Sequence, residues 1–167
     1  MKGRFTRAAI ITVGVIAAAQ LIRPDRTNPV TDASRSIQAH VAPASELVPV
    51  LNRACGDCHS NATEWPWYTQ SAPLSWLMAY AVSAGRKAVN FSDWAAYSPA
   101  QQQMLLAASC RDAASGKMPG GIWTALRPDS RLSTRDIETI CNAWRETRPT
   151  AAEVERAKSS SSFEVTS

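Results

Sequence analysis

Cys55-Gly56-Asp57-Cys58-His59 is the stretch from which this chain has to be read. Two cysteines three positions apart, followed at once by a histidine, are the arrangement that bonds a haem covalently and ligates its iron. Both thiols reach the two vinyl groups on one edge of the porphyrin, and the adjacent imidazole turns under the metal. The competing reading is a zinc site in which Cys55 and Cys58 join Cys110 and Cys141 as four thiolates. It leaves His59 without a task. A thioredoxin-like dithiol would want a βαβ setting, and the flanking sequence offers no strand.

Outward from the motif, apolar residues recur at helical spacing. Leu47, Val50, Leu51 and Ala54 share one face of a helix that runs directly into Cys55. A second helix opens at Pro73 and carries Leu74, Leu77, Met78, Ala81 and Val82 on one side. A third starts at Ser98-Pro99, with Gln101 placed to reach back to the cap, and continues to about Gly116. A fourth opens at Ser133 with Asp136 three residues on, shows Ile137, Ile140, Cys141 and Trp144 as its stripe, and is limited by Pro149. Residues 60–72, around Trp65-Pro66-Trp67-Tyr68, and residues 117–132 read as loops. The fold class expected is all-α: about four helices around one covalently bound haem, preceded by an N-terminal membrane-anchor helix.

The formal net charge is +4, but its location matters more than its size. Five of the 18 basic side chains and one of the 14 acidic ones lie in the first 26 residues, leaving 13 of each sign in the rest. The basic excess belongs to the N-terminal end, and nucleic-acid binding gains no support from it. That end has a basic start (Lys2, Arg4, Arg7), an apolar run from Ala8 to Ile22 broken only by Thr12 and Gln20, and polar Arg23-Pro24-Asp25-Arg26. It reads as an export signal. Continuation of the run past Ala17-Ala18-Ala19 favours an uncleaved anchor, with the domain on the periplasmic side of the inner membrane; cleavage would instead leave a soluble periplasmic protein. The organisation expected is an anchor over 1–26, a polar tether over 27–43, a haem domain over 44–150 and a partly disordered tail over 151–167.

A sixth iron ligand has few candidates. His40 falls in the presumed tether, and Met78 and Met104 fall inside helices, where core packing is their expected role. Met118 lies in a loop and is followed by Pro119, which fixes φ, so Met118 is the expected second axial ligand. Trp65, Trp67, Tyr68 and Trp94 are candidates for the haem pocket wall or for ordinary core. Arg86, or its neighbour Lys87, is a candidate partner for a haem propionate or a solvated helix end. Cys110 and Cys141 are left over, and in an oxidising compartment they form either a disulfide or two buried thiols.

Taken together, Leu21-Ile22-Arg23-Pro24-Asp25-Arg26-Thr27-Asn28-Pro29, the haem motif with Ser60-Asn61, Trp65-Pro66-Trp67-Tyr68, Pro73-Leu74-Ser75-Trp76-Leu77, Gly85-Arg86, Asn90-Phe91-Ser92-Asp93-Trp94 and Met118-Pro119 resemble a bacterial family of small haem-binding domain proteins related to monohaem cytochromes c. The resemblance spans roughly residues 21–146. It implies a cytochrome c-like helical fold, haem c at Cys55, Cys58 and His59, and an N-terminal membrane anchor. Many relatives have His-Pro where this chain has Arg127-Pro128, so no role for a histidine there carries over.

The function expected is one-electron transfer with a redox partner protein, without substrate chemistry of the chain's own. The alternatives are a peroxidase-like haem enzyme or a haem sensor, both of which need an open position on the iron.

Overall fold

The helical periodicities become helices at the places they mark. The computed structural model of the protein describes residues 2–41 and 45–147, and among them there is no strand. The helices are α1 (Lys2–Ala19), α2 (Leu47–Ala54), α3 (Gly56–His59), α4 (Leu74–Ala88), α5 (Pro99–Ala114), α6 (Gly121–Leu126) and α7 (Thr134–Glu146). Both expected capping boxes form: Ser98 with Gln101 opens α5, and Ser133 with Asp136 opens α7. Each satisfies two amide donors that the first turn of a helix otherwise leaves unpaired. The short α3 and α6 were not expected, because four to six residues are too few to show a period. Residues 151–167 and Pro149 lie outside the described residues.

The chain divides into two compact units, Met1–Ala96 and Tyr97–Ser167, where the sequence suggested one core. In the first, Leu47, Val50, Leu51 and Ala54 of α2 are buried as their spacing requires, together with Met78 and Val82 of α4. Helix α4 lies against α3. Gly85 makes that approach possible: a Cβ on it would stand 2.3 Å from the Cys58 carbonyl oxygen and 2.9 Å from its carbonyl carbon. In the second unit α5 packs on α7, with Leu106, Ala113, Ile140 and Cys141 buried, and a Cys110–Cys141 disulfide joins the two helices. Helix α5 ends on Gly116, whose φ of +69° is a left-handed conformation that favours glycine. Beyond that turn the Met118 amide donates to the Asp112 carbonyl at 3.1 Å. Met104 of α5, expected in a core, is 63 % exposed.

Two readings of the N-terminal end are corrected. The anchor was expected to span a membrane, yet no helix among the described residues is long and apolar enough to do so. Helix α1 has 18 residues, and its first turns carry Arg4 and Arg7, which leaves too short an apolar length for a hydrocarbon core of about 30 Å. The presumed tether is part of the first unit. Two 3-10 turns, Ala33–Arg35 and Ile37–Ala39, pack against a third at Phe91–Ala96. They bury Ile37 and Ser36 and pair Arg35 with Asp93 at 2.6 Å. Before them, residues 20–28 are strapped to the unit through side chains: Gln20 to Ala72, Arg26 to the Thr69 carbonyl, Asn28 to the Thr63 carbonyl.

Gly85→Ala is expected to lower the stability of the first unit by about 2 kcal/mol, because the backbone clash outweighs the gain of about 1 kcal/mol in helix propensity; an unchanged urea midpoint would refute the close approach. Replacing Cys110 and Cys141 together with serine is expected to cost the second unit about 3–4 kcal/mol, the loop-closure value for a separation of 31 residues, measured as the drop in the denaturation midpoint against the oxidised parent.

Candidate functional site

The motif sits where α2 ends and a single new turn begins. The Cys55 amide closes α2 on the Leu51 carbonyl at 2.9 Å, and the Cys55 carbonyl then accepts from the amides of Cys58 (3.2 Å) and His59 (2.9 Å). One turn thus separates the two cysteines, with Cys55 as the N-cap of α3 and Cys58 within it. Both are free thiols, partly exposed. Burial pushes the Cys55 thiol up to about 12, with the neighbouring Cys58 adding to it. Cys58 is pushed up to about 11, again by burial first and then by the Asp57 charge.

His59 is oriented by the chain beyond α4. Val89 leaves the helix with extended dihedrals (φ −156°, ψ 137°), and its carbonyl stands 3.2 Å from Nδ1 of His59. A carbonyl only accepts, so Nδ1 carries the proton and Nε2 keeps its lone pair, the tautomer a metal-ligating histidine needs. Burial lowers the imidazole pKa, opposed by hydrogen bonds to the backbone at Val89 and Gly85. The Phe91 ring lies 6.1 Å from the imidazole, and Trp94, 3 % exposed, lies 6.1 Å beyond Phe91.

The loop that leaves the motif is held from three directions. Asn61 donates its amide to the Ser92 hydroxyl (2.9 Å) and accepts from the Asn90 side chain (2.8 Å). Buried Asp57 accepts the Glu64 amide at 2.9 Å, while the Thr63 hydroxyl donates to the Asp57 carbonyl at 2.7 Å. Arg86 gathers the rest: its guanidinium donates to the Ser60 carbonyl (2.8 Å), the Thr27 carbonyl (3.2 Å), the Asn28 side chain (2.9 Å) and the Thr63 hydroxyl (2.9 Å). With donors already spent on four acceptors, Arg86 acts as a clamp on the motif loop and the N-terminal strap rather than as a solvated helix end.

The residues present fit a haem. Among the described residues, the buried side-chain donors with no acceptor are the Trp65 indole nitrogen and the Tyr68 hydroxyl. Leaving such groups unpaired costs about 1–3 kcal/mol each, and the propionates of a haem are carboxylates able to accept from them. Trp67 stands 85 % exposed, edge-on to Tyr68. His40 is exposed and its Nδ1 is engaged by the Ser36 carbonyl at 2.9 Å. Met118 belongs to the second unit and is 45 % exposed there, in the loop before α6; Arg127 caps the far end of α6 and holds its guanidinium 5.9 Å over the Trp123 ring. The four-thiolate zinc site is not formed, because Cys110 and Cys141 are bonded to each other, and no group of three or more metal-ligating side chains occurs among the described residues.

Several residues that build the site carry no chemical signal in the sequence. Gly85 and Val89 act through backbone, and Asn61, Asn90 and Ser92 enter the sequence reading only through the family resemblance, with no role attached. No curated protein and no solved structure matches the chain. A family model described as a haem-binding domain matches residues 14–146, which include the motif turn, the Arg86 clamp and both disulfide-bonded helices. The chain therefore belongs to the haem-binding domain family.

Proposed function

We propose that this chain is an exported haem c protein that holds one haem covalently through Cys55 and Cys58, ligates its iron with His59 and Met118, and serves as a one-electron carrier or as the haem subunit of a redox partner. The observation that carries this reading is the pinned imidazole: two free thiols on one turn are followed by a histidine whose Nδ1 proton is committed to Val89, leaving Nε2 for a metal. The haem supplies the redox chemistry, an iron able to gain and lose one electron.

What the chain supplies is position and environment. The Val89 carbonyl fixes the tautomer and rotation of His59 and raises its basicity as a ligand. Trp65 and Tyr68 offer an N–H and an O–H for the propionates. Phe91 and Trp94 back the imidazole with apolar surface, which favours the less charged ferrous state. A thioether from Met118, as the second ligand, would favour that state further and would leave the iron less open to substrates. Export is supported by the basic, apolar and polar order of the N-terminal segment and by the Cys110–Cys141 disulfide, a bond that persists in oxidising compartments.

The exported protein is expected to exceed the mass of its polypeptide by one haem, to give a haem c spectrum in alkaline pyridine, and to keep its colour through acid–acetone extraction. A colourless product with the bare polypeptide mass would end this reading. Met118→Ala is expected to convert the ferrous iron from low to high spin, to let it bind carbon monoxide, and to lower the potential on the order of 0.1 V, within the roughly 0.8 V that axial ligation spans. Unchanged spectra in both redox states would remove Met118 as ligand and raise the open-iron reading, enzyme or sensor, in its place.

A further inference from the structure

We infer that Asp57, the carboxylate enclosed between the two anchor cysteines, is a positioned negative charge that holds down the reduction potential of the haem. The inference rests on haem attachment at Cys55, Cys58 and His59, and it adds to that reading the residue that sets how readily the iron gives up its electron.

Carboxylates are almost never buried unless the fold gives them partners. Among the described residues, Asp57 is the one charged side chain that is buried, 9 % exposed on a turn of only four residues. Two bonds keep it there. Its Oδ1 accepts the Glu64 amide at 2.9 Å, which draws the loop leaving the motif back over the turn. Its backbone carbonyl accepts from the Thr63 hydroxyl at 2.7 Å, and that hydroxyl in turn accepts from Arg86 at 2.9 Å. The carboxylate is therefore fixed by the same clamp that holds the motif loop, and swinging it into water would break the loop open.

Covalent structure guarantees that this charge stays near the iron ligand. Asp57 is one peptide from Cys58 and two residues from His59, so at 3.8 Å per residue its backbone is never more than about 8 Å from that of the histidine. Burial raises the Cys58 thiol and the Asp57 charge raises it further, so the carboxylate is already felt at one attachment sulfur. Iron gains one positive charge on oxidation, and a fixed negative charge favours Fe(III) over Fe(II). At about 10 Å and an effective dielectric of about 20, one such charge shifts the balance about tenfold. Other charges along the motif count for less. Arg53 and Glu64 are exposed, and water and salt screen them. Arg86 has the opposite sign, but it is partly exposed and faces the neutral Ser60, Thr27, Asn28 and Thr63. Asp57 thus opposes the apolar backing that Phe91 and Trp94 give the imidazole, and the inference stands whether or not Met118 is a ligand.

The test is a redox titration of the full, haem-loaded chain and its variants. Only preparations whose mass and pyridine spectrum show one haem are titrated, so failure to attach haem and failure of this inference are separate results. Asp57→Asn keeps an oxygen for the Glu64 amide and removes the charge. Its midpoint is expected to rise by a tenfold shift in the Fe(III)/Fe(II) balance, about 59 mV for one electron, with the absorption spectra of both states unchanged. Asp57→Ser loses the acceptor as well as the charge; it is expected to unfold at lower urea yet to show the same rise, which separates charge from packing. Glu64→Gln removes an exposed charge from the same loop and is expected to shift the balance less than twofold. Midpoints of Asp57→Asn and Asp57→Ser within twofold of the parent balance would overturn the inference. So would an equally large rise in Glu64→Gln, which would assign the effect to the overall charge of the loop.

Discussion

The close approach of α4 to the motif turn, through Gly85 onto the Cys58 carbonyl, is the constraint on which the rest of the first unit depends. It fixes where α4 ends, and Val89, four residues on, is the residue whose carbonyl holds His59. It also sets Arg86 one position past the contact, within reach of the loop that leaves the motif and of the strap that precedes it. A larger residue at 85 would push α4 outward and move the imidazole acceptor and the clamp together. The orientation of the His59 imidazole and the hold on Thr27 and Asn28 of the strap thus share a single packing contact.

The clamp explains why strings far apart in sequence occur together. Thr27 and Asn28, Ser60 and Thr63, and Arg86 form one hydrogen-bonded cluster, each charge-assisted bond contributing about 1.5–3 kcal/mol before solvent screening is counted. Their work is to keep the turn that carries the thiols from fraying, which a four-residue helix does readily.

Legibility in the sequence followed the physics of each signal. The CxxCH motif was readable because its chemistry needs fixed spacing, α2, α4 and α7 were readable because their apolar residues repeat at helical spacing, and α5 was readable from its cap alone. Ser98–Gln101 and Ser133–Asp136 were readable as caps for the same reason of fixed offset. The stretch from Thr27 to Val41 misled because its attachment runs through side-chain-to-backbone bonds and one buried isoleucine, Ile37, which leave no period in hydropathy. The role of Val89 was invisible in principle, since any residue but its own carbonyl is irrelevant to the contact. Arg86 was noticed for its charge, yet its partners are neutral carbonyls and hydroxyls that charge pattern does not reveal.

Four cysteines allow three ways of pairing. Here the sorting is built into the haem-free fold. Cys110 and Cys141 face each other across two packed helices in one unit, while burial keeps Cys55 and Cys58 protonated in the other. Exchange proceeds through the thiolate, so a raised pKa slows the oxidation of Cys55 and Cys58. The packing that shapes the motif turn thereby lowers the reactivity of its own two sulfurs.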